Sequence, residues 1–357
     1  MRVLEHSVRS FRNLHELQFT PSAGVNLICG DNGQGKTNTA ESLWLLTGCQ
    51  SFRTKRLREL IAHGQDAAQI AARVFAGERE QTIEIQLGQR RRAVCNGIAL
   101  ESPHALLGLF PAVIFSPDTL ALVREGAGHR RRFLDIAISF RKPAYAAALS
   151  KYCKVLDQRN ALLRTGGSPK ELAPWDGLLA HYGAVLIAAR AKYTAALAPL
   201  CASIYGDLSG EAETLSLTYQ PCVPADELSE YLLLSLFQRT LEADQRAGYT
   251  TAGVHAEDFA LRLDGRSARV FGSRGQQRCC ALALKIAEAS LLCKALDDAP
   301  VVILDDVMSE LDAARQAALL RYLQDWQAFI TCCEVPAVFG ESDATLFHMR
   351  EGKLVTE

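Results

Sequence analysis

Gly30-Asp31-Asn32-Gly33-Gln34-Gly35-Lys36-Thr37 has the G-x-x-x-x-G-K-[ST] spacing of a loop that wraps an anion. Its glycines let the backbone close around a phosphate group. Val25, Leu27 and Ile28 ahead of it read as a buried strand, and Ala40, Leu43, Trp44 and Leu46 behind it share one helical face. Strand, loop and helix in that order set a nucleotide's phosphates on a helix N-terminus, with its free N–H groups and positive dipole end. The backbone of Gly30, Asp31, Asn32, Gly33, Gln34 and Gly35 is expected to cradle those phosphates. Lys36 should reach the β- and γ-phosphates, and the Thr37 hydroxyl should ligate Mg²⁺.

Two further groups belong to the same chemistry. Residues 301–304 are a wholly apolar run that reads as a central parallel strand buried on both faces, and it ends in Asp305 and Asp306. Asp305 is the candidate Mg²⁺ partner, and Asp306 the candidate that orients water on the γ-phosphate. Upstream, Ser273-Arg274-Gly275-Gln276-Gln277 opens a long run without Gly or Pro that is apolar almost all round, which predicts a buried helix. Ser273, Gly275 and Gln276 at its start make a second anion site, or an ordinary helix cap. One γ-phosphate cannot easily fill both sites in one subunit, so the economical arrangement is a dimer in which Ser273 closes on the partner's nucleotide. Ser309-Glu310-Leu311-Asp312 would join that interface, or start a helix with Ser309 as its cap.

The elements around these residues suggest two lobes. Residues 70–75 and 82–87 have strand character, residues 92–100 read as a hairpin turning at Asn96-Gly97, and 113–115 as a core strand. The pattern is mainly helical from about 130 to 248, with Gly166-Gly167-Ser168-Pro169 separating two helices and Pro199 expected to kink or end the second. Residues 215–219 suggest a short strand, and Asp264-Gly265 another hairpin. One α/β lobe is therefore expected from 1–115 and 250–357, a mixed sheet around the phosphate-loop helix, with a mainly helical lobe at 116–249. No sustained heptads appear in the insertion, which excludes a long coiled coil.

Composition narrows the partners. The net charge of −1 does not advertise nucleic acid, so any DNA binding would have to come from local patches. The candidates are Arg53, Lys55, Arg56 and Arg58; Arg90, Arg91 and Arg92; and Arg130, Arg131 and Arg132, the last on a segment with one apolar helical face. No interleaved aromatic pattern is visible, which favours duplex backbone over stacked single strands. The eleven scattered cysteines show no zinc spacing and read as reduced thiols of a cytoplasmic protein. Neither a signal peptide nor an apolar run of membrane length is apparent, so no membrane span is expected.

Together these residues resemble the ABC-type ATPase heads of the SMC family, and within it the RecF family of bacterial DNA replication and repair proteins. The resemblance covers nearly the whole chain. It includes Phe11-Arg12-Asn13-Leu14, Ser51-Phe52-Arg53-Thr54, Glu59-Leu60-Ile61, Phe115-Ser116-Pro117-Asp118 and Arg131-Arg132-Phe133-Leu134-Asp135, besides the three motifs above. The chain departs from the family pattern at Gly253-Val254-His255-Ala256-Glu257-Asp258, which lacks an Arg. It departs again at Cys332-Cys333, where hydroxyl residues would be expected. The resemblance implies ATP and Mg²⁺ as cofactors, and an ATP-dependent homodimer that clamps double-stranded, gapped or junction DNA and turns ATP over slowly. It also implies RecR, with RecO, as partners in loading recombinase during recombinational repair and replication restart. Two other readings share the phosphate loop. One is a nucleotide-gated scaffold with negligible turnover, because Asp306 is one methylene shorter than Glu. The other is a transporter ATPase subunit, which the S-R-G-Q-Q signature, Asp306 and the large insertion oppose.

Overall fold

A computed structural model describes residues 1–210, 213–296, 298–340 and 344–355. The chain forms two compact units, one of Met1–Leu120, Ile204–Ala212 and Ala281–Glu357, the other of Ala121–Ser203 and Glu213–Cys280.

The first unit is built on two six-stranded sheets. One is antiparallel: β1 (Arg2–Phe11), β2 (Leu14–Phe19), β4 (Ala68–Ala76), β5 (Arg79–Leu87), β6 (Arg92–Cys95) and β7 (Ile98–Ala99), in the order β2-β1-β4-β5-β6-β7. β4 and β5 alternate buried and exposed residues, as strands do when one face is packed. Asn96 and Gly97, both at positive φ, make the tight turn between β6 and β7. The other sheet runs β15-β14-β3-β13-β12-β8, from β3 (Val25–Cys29), β8 (Ala112–Phe115), β12 (Val301–Asp305), β13 (Ala328–Cys332), β14 (Thr345–Arg350) and β15 (Lys353–Val355). It is parallel from β14 to β8, and only β15 is antiparallel. Every residue of β8, β12 and β13 is buried, which is why those segments read as unbroken apolar runs. Helix α1 (Lys36–Leu45) packs on β12 and β13 and also touches β1, so it is buried almost all round. The first unit also holds α9 (Ala313–Leu323).

The second unit is mainly helical: α2 (Ala121–Arg124), α3 (Ala127–Arg141), α4 (Pro143–Arg164), most of α5 (Pro169–Ser209), α6 (Glu230–Ala247), α7 (Ala268–Phe271) and the first turns of α8 (Arg274–Leu296). A small antiparallel sheet joins them: β9 (Leu215–Gln220), β10 (Asp258–Leu263) and β11 (Arg266–Ser267), with β10 in the middle. Local chemistry marks the ends of α6. Ser229 caps its start by accepting from Leu232 N at 3.3 Å, and Gly248 ends it in the left-handed conformation.

Three expectations are corrected. Residues 250–280 belong to the second unit, not to the α/β lobe, because β10 pairs along its length with β9, while 116–120 and 204–212 belong to the first. Pro199 does not end α5, the one of its two expected effects that the helix bounds decide, since Leu197 and Cys201 flanking it are fully buried and that burial offsets the roughly 3 kcal/mol that an interior proline costs. α5 is also long and apolar enough to cross a membrane by length and composition, although the sequence suggested no such run. It carries the buried Arg190, bonded to Asp135 and Glu257 within the unit, which is the behaviour of a core helix.

Candidate nucleotide site

β3 delivers the chain to Gly30 at the C-terminal edge of the parallel sheet. A Cβ on Gly30 would lie 2.3 Å from Met349 O, and Gly30 has φ 151°, so glycine is required there. Gly35, at φ 117°, begins α1, and a Cβ there would meet Leu14 at 2.9 Å. No side chain caps α1 and no acidic residue occupies its first turn, which leaves the helix's positive end to the loop. The loop is buttressed from outside. Asn13 Nδ2 donates to Gly33 O at 3.1 Å, Gly352 N to Gln34 O at 2.9 Å, and Glu351 N to Gln34 Oε1 at 2.6 Å. Lys36 Nζ donates to Gly30 O at 2.6 Å and Asp31 O at 2.8 Å, so its ammonium is folded over the loop.

The carboxylates arrive from β12. Asp305 is buried, and burial pushes its carboxyl above the usual carboxylate range, against hydrogen bonds from the Thr331 and Thr37 hydroxyls. The Thr331 bond is 2.8 Å. Thr37 and Asp305, the two proposed metal partners, are therefore near enough for the hydroxyl to act on the carboxylate. Asp306 is exposed and takes φ 54°, a left-handed conformation that costs most residues about 1–2 kcal/mol and that Asp tolerates. Its N–H donates to Thr331 Oγ1 at 3.0 Å, and its carboxylate and carbonyl both accept from Ser309 Oγ at 3.1 Å. Ser309 therefore holds Asp306 and does not cap α9; Asp312 does, accepting from Arg315 N at 2.9 Å.

Sequence reasoning missed the support around α1. Glu41 is fully buried on this helix and gathers Arg12 through two 2.9 Å bonds, Ser51 at 2.5 Å and Arg53 at 3.2 Å. Arg53 also donates to Asn38 at 2.7 Å, and Asn38 donates to Asn13 at 2.7 Å. Phe11-Arg12-Asn13-Leu14 and Ser51-Phe52-Arg53-Thr54 stand out in the sequence because both converge on this one carboxylate. A Glu five positions beyond Lys36, amid apolar residues, was the available signal. Arg53, a candidate for DNA, is spent here. Lys55 is exposed, and Arg56 is exposed with Glu59 at 3.4 Å.

Ser273, Gly275 and Gln276 lie in the second unit. Ser273 and Gln276 form a capping box on α8: Gln276 N donates to Ser273 Oγ at 3.2 Å, and Ser273 N to Gln276 Oε1 at 2.7 Å. Gln276 Nε2 donates to Glu213 at 2.5 Å, so its amide is used within the unit. Ser273 and Arg274 remain exposed. The arginine triplet is corrected in part. Arg130 is buried, fork-bonded to Asp258 at 2.6 and 2.8 Å and donating to Leu122 O and Glu125 O, so it braces the unit and is no DNA contact. Arg131 donates to Glu257 O at 2.7 Å, while Arg132 is exposed. The segment 253–258 works in the same way, since its Glu257 and Asp258 pair with Arg190 and Arg130.

Residues 3–352 match the RecF/RecN/SMC N terminal domain family. A DNA replication and repair protein RecF of Clostridium acetobutylicum is 34% identical over 97% of both chains. Another, of Anaeromyxobacter sp., is 38% identical over 100% of this chain and 99% of its own. The chain belongs to the RecF family. A solved structure of the recombination mediator protein RecF with ATP, in the RecFOR pathway, superposes with a TM-score of 0.91 at 32% identity, covering 99% of this chain and 98% of that one. The Smc head domain of Pyrococcus furiosus shares the fold alone, at a TM-score of 0.59 and 15% identity. RecF-family membership makes the fold an ABC-type ATPase head, and no long coiled coil is present among the described residues.

Proposed function

We propose that this chain is an ATP-driven switch on DNA in recombinational repair and replication restart. The observation that carries the reading is a phosphate loop whose helix end is uncapped and whose Lys36 lies over its rim, with Asp305 at the end of β12, the strand that packs against α1. The backbone from Gly30 to Gly35 binds the phosphates, and Lys36 leaves its loop carbonyls for the β- and γ-phosphates. Thr37 and Asp305 offer hydroxyl and carboxylate oxygens, the hard donors that suit Mg²⁺. Bound there, Mg²⁺ would neutralise developing phosphate charge. Asp306 accepts a proton or hydrogen bond from the attacking water, after Ser309 releases it. That prior engagement of Asp306, together with its short reach, supports slow turnover.

Ser273 closes on the nucleotide of a second copy. Its exposure at the start of a 23-residue helix supports this, because the dipole and free N–H groups there can take a γ-phosphate without an unpaired side chain. The ATP-closed homodimer then clamps duplex or gapped DNA, with Lys55, Arg56 and Arg132 on the phosphate backbone, and its hydrolysis releases the DNA. RecR, with RecO, is the partner through which recombinase is loaded, and the cytoplasm is the site of action; both follow from membership of the family. Sedimentation with labelled duplex, with and without ATP, tests the reading. The expected result is an ATP-dependent dimer on DNA that Ser273→Arg abolishes. A monomer under every condition would remove the shared site.

A further inference from the structure

Cys29 ends β3 and Cys332 ends β13, and the two are register partners on parallel neighbouring strands. Their Sγ atoms are 2.9 Å apart, with the residues only 3% and 4% exposed. Each directly precedes a residue of the nucleotide site. Gly30 follows Cys29, and Cys333 follows Cys332, with Cys333 Sγ donating to Asn32 Oδ1 at 3.2 Å and standing 3.6 Å from Lys36 Nζ. Neighbouring strands lie about 4.8 Å apart, inside the roughly 4.4–6.8 Å Cα separation that a disulfide spans. No unfolding is needed to join the two sulfurs.

We propose that Cys29 and Cys332 are a dithiol switch beneath the phosphate loop, which a peroxide oxidises to a disulfide that weakens nucleotide binding. The gating half of this inference rests on the functional reading above. Cys29 is the attacking group: the Cys332 hydrogen bond and the Lys36 ammonium hold its thiol below the usual range, while Cys332 is pushed up. The Cys29 thiolate attacks one peroxide oxygen, the O–O bond breaks, and the departing oxygen takes a proton to leave as water. Cys29 now carries a sulfenic acid. Cys332 sulfur attacks Cys29 sulfur, the S–O bond breaks, and the hydroxyl leaves as water with the Cys332 proton. Two thiols have lost two electrons and two protons, and one peroxide has become two waters.

The bond draws the sulfurs from 2.9 Å to about 2.05 Å. Gly30, next in the chain, is packed so closely against Met349 O that a Cβ would meet it at 2.3 Å. The displacement passes into the carbonyls of Gly30 and Asp31 that hold Lys36, and into Cys333 across the loop.

The test oxidises the full chain with hydrogen peroxide, maps its peptides by mass spectrometry, and titrates a fluorescent ATP analogue before and after. The expected result is a peptide linking Cys29 to Cys332, at least a tenfold loss of affinity, and recovery with dithiothreitol. Cys29→Ser should bind like the reduced wild type and stay insensitive to peroxide. The inference fails if no such link forms at peroxide levels that oxidise the exposed Cys153. It also fails if the link forms without loss of affinity, or if Cys29→Ser loses affinity equally. A reduced protein that binds no analogue would overturn the functional reading and the gating with it; the peptide map, which needs no nucleotide, tells the two failures apart.

Discussion

Around the phosphate loop the first unit leaves its working groups in place for a ligand: an ammonium held by loop carbonyls and the Cys333 thiol with no carboxylate on it among the described residues, an uncapped helix end, and an exposed Asp306 in a left-handed conformation. The second unit does the reverse with similar residue types. Arg159 is fully buried among Asp176 at 2.6 Å, Asp244 at 2.7 Å and Thr250 at 2.8 Å. Arg190 is held by Asp135 at 2.7 Å, Glu257 at 2.9 Å and Tyr145 at 3.1 Å, which raises its guanidinium well above the usual range despite burial. Charge next to backbone N–H groups marks chemistry; charge closed on itself marks a scaffold.

The largest effect should come from opening the closed network. Arg190→Leu removes the cation that Asp135 and Glu257 share and leaves them only neutral donors such as Tyr145 and Tyr219, and removing one member of a buried ion pair costs about 3–5 kcal/mol. Urea unfolding should show it as an early loss of helical signal, and a cost below about 1 kcal/mol would make the network dispensable. Next is the open site. Lys36→Ala should weaken ATP binding at least 100-fold, about 2.7 kcal/mol, with melting unchanged. Calorimetric titration reads it, and undiminished binding would remove the phosphate loop from the account.

The same contrast explains what could be seen in advance. The phosphate loop, the Asp305-Asp306 strand end and the capping residues of α8 depend on local spacing, so they were legible. So were the Asn96-Gly97 and Asp264-Gly265 turns, where positive φ demands those residue types. Arg130 was not, because Asp258 lies 128 positions away and only the fold brings it within 2.6 Å. Glu41 failed in the same way, since its partners come from two loops. The boundary at residue 250 was misread because β10 takes its partner from β9, and strand pairing is non-local.

A smaller effect sits between the two sheets of the first unit. His6 on β1 is fully buried, with Nε2 2.8 Å from Ser42 Oγ on α1, and burial lowers its pKa from 6.5 to about 3. Unfolding lets it take up a proton at its ordinary value. Its contribution is therefore complete above pH 6.5 and is lost as pH falls from there towards about 3. Between pH 7.5 and 5.5 the loss should be about 1.4 kcal/mol. Chemical denaturation at both values checks it, and His6→Gln should flatten that part of the profile. An equal slope in the variant would show that His6 does not titrate on unfolding.

The finest test separates open from closed arginines on DNA. Each phosphate contact contributes about 0.9 to the slope of log affinity against log salt. Lys55→Ala and Arg56→Ala together should lower that slope by up to about 1.8, because both side chains are exposed, and Arg56 gives up only an exposed pairing with Glu59. Arg130→Met should leave the slope unchanged while destabilising the protein, because its guanidinium is closed on Asp258 and two carbonyls. Fluorescence anisotropy across a salt series reads both variants on one duplex. A slope that falls with Arg130→Met would mean that the bidentate pair opens on DNA. Arg130 would then join Arg132 in the second unit's share of the binding surface.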